Sequence, residues 1–304
     1  MANLNELQVF LRGGLGNQLF QYSTGIAISE QSGKKLVLRT DLLPKTQDQI
    51  GGISRWPDQI SSFAHSGVLR GTSYQPIGKT NLFGKSMQIM RTVGDRWPVL
   101  SEKMGWYASE KSAKNEFFNP AGTRLINSYV AIKDFAWKNQ ARLRLETSQI
   151  RNPSNLFSQL MEEMADIPTC VIHVRLGDYR ELARVYGQSS DNFIQAAIGR
   201  IRSYDMLERV WVFSDSPKDL MLREFKNLTI ERVIGPDDLP RPIENLVLMS
   251  KANSIIASNS SFSWWAGCLS REGTRVVAPY YSSALVNNFS KSEMRILNWE
   301  LIDV

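Results

Sequence analysis

Histidine and cysteine are scarce in this chain, and the scarcity excludes several chemistries. Only His65, His173, Cys170 and Cys268 occur among 304 residues. Two histidines cannot form a three-histidine zinc site. Neither His-Glu-x-x-His nor Asp-x-Asp occurs, so no metal site is expected. There is no Cys-x-x-Cys pair and no disulfide framework. Both cysteines lie in apolar company and read as buried, free thiols. Long hydrophobic runs are missing too, and nothing approaches the ~18 residues that span a bilayer. The first residues show no basic segment followed by an apolar one, so no signal peptide is expected and a cytoplasmic location is. Charge of one sign is nowhere concentrated. Lys and Arg number 36 against 30 acids, a net charge of +6, yet no run of five like charges appears. A scattered positive excess argues against a nucleic-acid partner. It suits an anionic ligand or loose peripheral attraction to an acidic membrane surface.

What is present fits an α/β protein of two domains of ~150 residues each. Leu7–Leu11 reads as a strand, Arg12-Gly13-Gly14-Leu15-Gly16 as a tight turn, Asn17–Gln31 as a helix and Leu36–Leu38 as the next strand. Residues ~42–125 are irregular, with short helices and loops expected, and Ile126–Val130 reads as a further strand. The punctuation Asn152-Pro153-Ser154 suggests domains at 1–152 and 153–304, with a helix over Asn155–Ala165. Strands are then predicted at Thr169–Val174, Arg209–Phe213, Leu228–Val233, Ser254–Ala257 and Arg275–Ala278. Helices are predicted at Asp191–Tyr204, Pro217–Phe225, Ile243–Ser250 and Ser261–Leu269. Such alternation implies a parallel sheet covered on both faces.

Polar residues fall just after the strands, at the edge where open α/β sheets bind ligands. Cys170-Val171-Ile172-His173-Val174 runs straight into Arg175-Leu176-Gly177-Asp178-Tyr179, and the Arg175 fork suits a phosphate. Asp178 reads as a structural partner for Arg175. Phe213-Ser214-Asp215-Ser216-Pro217 closes a strand and opens a helix; Ser216 suits a cap, and Asp215 either a cap or a contact to a base or ribose. Ser258-Asn259-Ser260-Ser261-Phe262-Ser263 carries more hydroxyls than capping needs, and a helix start of this kind can seat an anion. Trp264 and Trp265, inside that helix, read as core. Gly14 and Gly16 begin a G-x-G-x-x-G pattern, but the third position is Leu19. Asp41 stands where a ribose-binding acid would. The dinucleotide reading, an oxidoreductase, is thus weakened but open.

GGLGNQLFQY, HVRLGDY, FSDSP and SNSSFSWWAG, in this order over residues ~7–280, resemble the α-1,2-fucosyltransferases. The resemblance implies a GT-B-type fold, two Rossmann-like domains facing across a cleft, with the C-terminal one binding GDP-fucose. It implies inverting transfer of L-fucose to the 2-hydroxyl of a galactose-terminated or lipid-linked glycan, as in O-antigen assembly, with no metal or other cofactor. Carried over residue by residue, Arg175 would meet the β-phosphate, His173 and Asp215 the guanine or its ribose, and Ser260, Ser261 and Phe262 the diphosphate and fucose. Gly14 and Gly16 would let the N-terminal loop close on the donor, with Asn17 and Gln18 near the reacting groups. Asp178 and Glu181 would be the candidate bases. Two positions depart from the family pattern. Leu176 replaces a second Arg, and Asn192-Phe193 replaces Tyr-Tyr. A glycosyltransferase using another nucleotide sugar is the alternative within enzymes.

Overall fold

The structure, a computed structural model, describes residues 5–50, 53–63, 69–70, 103–107, 122–127, 131–177, 191–204, 208–220, 228–282, 284–291 and 298–304, with 89, 92, 96, 97, 100, 129 and 225 singly. The chain divides into two compact units, Met1–Glu146 and Thr147–Val304.

The first unit opens with β1 (Glu6–Phe10), α1 (Leu15–Ser32) and β2 (Lys35–Arg39). A short antiparallel ribbon follows, β3 (Asp48–Ile50) and β4 (Ile53–Arg55), then β5 (Leu69–Arg70), β6 (Trp106–Tyr107) and β7 (Leu125–Ile126). The sheet order is β5-β2-β1-β7-β6, and every neighbouring pair is parallel. Helix α1 runs from Gly14 to a left-handed Gly33 and buries Leu15, Leu19, Phe20, Tyr22, Ile26 and Ile28. It packs tightly on the sheet at Gly25, where a Cβ would come within 2.8 Å of Leu36 and 3.1 Å of Val9. Gly25 therefore provides the close helix–strand packing that the third glycine of a dinucleotide fingerprint would supply. Helix α2 (Lys133–Lys138) and most of α3 (Gln140–Ser148), whose last two residues belong to the second unit, complete the first. Its last residue is held firmly: Glu146 accepts from the Tyr22 hydroxyl at 2.7 Å and from Arg142 Nε at 2.9 Å.

The second unit contains α4 (Asn155–Asp166), β8 (Thr169–Val174), α5 (Asp191–Arg202), β9 (Arg209–Ser214), α6 (Pro217–Leu220), β10 (Arg232–Ile234), α7 (Pro242–Lys251), β11 (Ser254–Ile256), α8 (Ser261–Cys268), β12 (Arg275–Tyr280) and β13 (Trp299–Asp303). The sheet order is β10-β9-β8-β11-β12-β13, again parallel throughout. Strand β8, at the centre, is buried at every residue, as a strand covered on both faces must be. The Asn152-Pro153-Ser154 punctuation lies inside this unit. There Ser154 caps α4 through Phe157 N–H, and the buried Glu244 accepts from the Ser154 amide and hydroxyl, each at 2.9 Å.

The expected strand Leu228–Val233 is shorter and later, Arg232–Ile234. Leu228 and Ile230 pack on the core from outside the ladder, so their apolar spacing does not mark a strand. Strand β7 begins at Leu125, one residue before its expected start. Strand β13 escaped the sequence pattern because Glu300 and Asp303 interrupt it, a charge pattern usual at a sheet edge. Cys170 and Cys268 are buried free thiols, and Trp264 and Trp265 lie wholly in the core. Among the described residues no helix is long and apolar enough to cross a membrane.

Candidate active site

Numbered from its own first strand, the second sheet has the order 3-2-1-4-5-6, which reverses direction between β8 and β11. A crevice for ligands opens at such a point, beyond the carboxyl ends of the two strands. Both strands here end in polar residues. His173, the penultimate residue of β8, places Nδ1 2.8 Å from Ser258 Oγ and 2.5 Å from Ser263 Oγ. Ser258 follows β11, and Ser263 lies in the first turn of α8. The Phe262 ring tilts against the imidazole with centroids 5.5 Å apart. Burial, and secondarily the Arg175 charge, push the His173 pKa down to about 3, so the ring is neutral.

On the β9 side, Asp215 gathers the loop that leaves β8. Its Oδ1 accepts from Leu176 N–H at 2.8 Å. Its Oδ2 accepts from Gly177 N–H at 3.1 Å and pairs with Arg175 Nε at 3.1 Å. Gly177 is needed for this approach, because a Cβ there would fall 2.6 Å from Asp215 Oδ2. Among the described residues, the aspartate paired with Arg175 is Asp215, reaching across from the neighbouring strand. Asp178 and Glu181 lie outside the described residues. Leu176 turns into the core, in one cluster with Phe193. One residue from each departure from the family pattern therefore lies in the same core cluster.

The hydroxyl-rich turn before α8 divides its work. Ser260 caps the helix by accepting from Phe262 N–H at 3.2 Å. Asn259 straps a following loop, accepting from Asn288 N–H at 2.6 Å and donating to Val286 O at 2.8 Å. Ser261 and Phe262 are half-buried at the helix start. The sequence marks Ser258 and Ser263 only as members of the hydroxyl-rich run and assigns neither of them a partner. The surplus of hydroxyls over capping needs was the signal that pointed to them.

The glycine turn of the first unit is braced from behind. Gln18 is fully buried; its amide donates to Gly13 O at 2.8 Å and Pro57 O at 3.0 Å and accepts from Gln59 N–H at 2.9 Å. Through these three bonds it holds the turn. Gln21 does the same for the Arg12 backbone, accepting from its N–H at 2.8 Å. Its signal in the sequence was only a second amide one helical turn after Gln18. Gly14 starts α1 without a side-chain cap, Gly16 is buried, and Asn17 is half-buried over Gly13. Asp41 binds Arg39 through both oxygens, at 2.7 and 3.0 Å, an arrangement that ties its carboxylate to β2 rather than to a ribose. Among the described residues no three His, Cys, Asp or Glu side chains cluster as metal ligands.

Comparison with known proteins bears on this arrangement. An Escherichia coli alpha-1,2-colitosyltransferase is 23% identical over 303 residues, covering 92% of this chain and 93% of that one. The O-antigen biosynthesis glycosyltransferase WbnK of Escherichia coli is 26% identical over 146 residues, 47% of each chain. The crystal structure of fucosyltransferase NodZ from Bradyrhizobium is 14% identical, with a TM-score of 0.48, covering 88% of this chain and 93% of that one. The model of glycosyl transferase family 11 matches residues 133–303. That stretch is more than half of the chain and includes the whole β8–β11 switch point; the chain belongs to glycosyl transferase family 11.

Proposed function

We propose that the protein is an inverting galactoside α-1,2-fucosyltransferase that moves L-fucose from GDP-fucose to the 2-hydroxyl of a galactose in a glycan acceptor. The observation that carries this reading is the meeting of His173, Arg175, Ser258 and Ser263 at the switch point of a family 11 chain. In the reaction the bond from the fucose anomeric carbon to the β-phosphate oxygen breaks, and a bond from the galactose oxygen forms on the opposite face. The hydroxyl proton passes to a base, for which Asp178 and Glu181 are the candidates. The electron pair leaves with GDP.

Charge on the departing diphosphate is assigned to Arg175 and to the N–H groups at the start of α8, around Ser260, Ser261 and Phe262. A guanidinium carries five donors, and the Asp215 contact at Nε fixes its plane. His173 is assigned to the guanine or ribose. Asp215 serves the nucleotide indirectly, by holding the Arg175 loop. The proposal includes no metal and no other cofactor. An acceptor carried on a lipid at the inner face of the membrane belongs to the same reading.

The resemblance over most of the chain to an alpha-1,2-colitosyltransferase favours one variant, in which the donor sugar is colitose, a fucose analogue. Calorimetric titration of GDP in EDTA tests the shared part. Wild type should bind, and Arg175→Ala should lose most of that affinity and on the order of 10²–10³-fold in turnover. A folded wild type that ignores GDP would overturn the reading. Turnover of GDP-fucose against GDP-colitose on a β-galactoside, with the new linkage read by NMR, separates the two donors.

A further inference from the structure

The imidazole of His173 meets two hydroxyls through a single nitrogen. Nδ1 lies 2.5 Å from Ser263 Oγ and 2.8 Å from Ser258 Oγ, and the two hydroxyls lie 3.1 Å apart. A neutral imidazole carries one N–H, and the nitrogen that bears it decides whether Nε2 donates or accepts. Ring neutrality follows from burial beside Arg175. Counting protons decides the rest. Both hydroxyls are buried, and among the described residues their oxygens meet only each other and Nδ1. An Nδ1–H would place three protons among these three atoms and leave one buried hydroxyl proton without an acceptor, which is costly. The arrangement instead fits a relay, with Ser258 donating to Ser263 Oγ and Ser263 donating to the Nδ1 lone pair, so that both hydroxyl protons are satisfied.

We propose that Ser263, backed by Ser258, holds His173 as its Nε2–H tautomer, making Nε2 a fixed hydrogen-bond donor to the bound nucleotide. The role at the nucleotide rests on the donor site proposed above; the tautomer does not. Both serines are positioning residues that act through His173. The matching atom on the ligand is an acceptor, a ribose or phosphate oxygen or an acceptor position of the base. A ligand presenting a donor there would be rejected, because a buried N–H facing another N–H leaves both unsatisfied.

Nitrogen NMR of histidine-labelled protein reads the tautomer directly, without ligand. The chain has only two histidines, and a His65→Gln variant identifies the second signal. The expected spectrum has a lone-pair resonance at Nδ1 and an N–H resonance at Nε2 of His173. The opposite assignment overturns the proposal, and the wild-type spectrum alone suffices for that. In Ser263→Ala the tautomers should mix, and GDP affinity should fall on the order of tenfold, the loss of one hydrogen bond to a charged ligand. Ser258→Ala should act in the same direction with a smaller effect. An unmixed Nε2–H spectrum in a folded Ser263→Ala protein would show that the serine does not set the tautomer. Failure of wild type to bind GDP would remove the nucleotide role and the donor reading together, while the ligand-free spectrum would still decide the tautomer.

Discussion

After β1 the chain turns into α1 through Gly13-Gly14, and after β11 it turns into α8 through Ser258-Asn259-Ser260. The first turn is held from behind by two buried amides, Gln18 and Gln21, and its helix starts with no side-chain cap. The second is held by its own hydroxyls, which cap α8 through Ser260 and grip His173 through Ser258 and Ser263. The difference lies in what a single lost atom does. Removing an amide from the first turn releases backbone. Removing a hydroxyl from the second changes the chemistry of a buried ring at the candidate site.

The largest expected effect comes from the protonation of that ring. In the folded chain the His173 pKa is lowered to about 3, against an ordinary value of 6.5. The unfolded chain therefore binds the extra proton first. This contribution is fully present above pH 6.5 and is lost as pH falls towards about 3. Within that window it steepens the fall by up to about 1.4 kcal/mol per pH unit. Urea unfolding of wild type and His173→Gln across the window should give curves that converge as pH drops. Parallel curves would mean that the serine turn does not hold a neutral ring, and the contrast with the glycine turn would collapse.

Asp215→Ala comes next. One carboxylate holds two backbone amides and Arg175, so its loss should cost about 3 kcal/mol, discounted for its partial exposure. Thermal unfolding reads this cost. GDP titration of the folded variant should show weakened binding as well, since Arg175 loses its orientation. A variant as stable and as tight as wild type would refute the bracing role.

Much of this was legible in the sequence for a simple reason. Buried parallel strands read as apolar runs, and their carboxyl ends read as abrupt polarity. His173, Arg175 and the serine turn stand out on that basis, as does β8 itself. Partners distant in sequence do not stand out. Asp215 meets the Arg175 loop from 39 residues away, and Tyr22 meets Glu146 from 124. Nothing local distinguishes either pair, so the brace on Arg175 and the closing contact of the first unit emerge only in three dimensions. Gln18 is the reverse case. An amide beside a glycine turn reads as a ligand contact from the sequence, and its bracing bonds to Gly13, Pro57 and Gln59 emerge only in the fold. Helices α2 and α3 stayed hidden because their sequence is mostly polar, with little apolar periodicity to mark a face.

Gln18→Ala should cost about 2 kcal/mol, because it strands three backbone groups at once, those of the half-buried Gly13 and Pro57 and of the buried Gln59. The loss should appear in chemical denaturation of the purified variant. The nitrogen resonances of His173 should not respond, because the amide serves the other turn. A changed His173 spectrum in Gln18→Ala would show that the two turns are coupled rather than separately built.

The smallest effect is expected at Gly25, in the same helix that the glycine turn begins. Two opposing terms meet there. Alanine raises intrinsic helix propensity by about 1 kcal/mol over glycine. Its Cβ would also press to 2.8 Å from Leu36 Cδ1 and 3.1 Å from Val9 Cγ2. Leu36 can move its side-chain end, but Val9 is a stiff β-branched residue buried in the central strand of its sheet. Overpacking of this kind costs about 1–3 kcal/mol. The balance for Gly25→Ala is a net loss of about 1 kcal/mol, readable as a small drop in Tm. A gain in stability would mean that β1 and β2 yield to α1. The first turn would then rest on a softer base than its two buried amides imply.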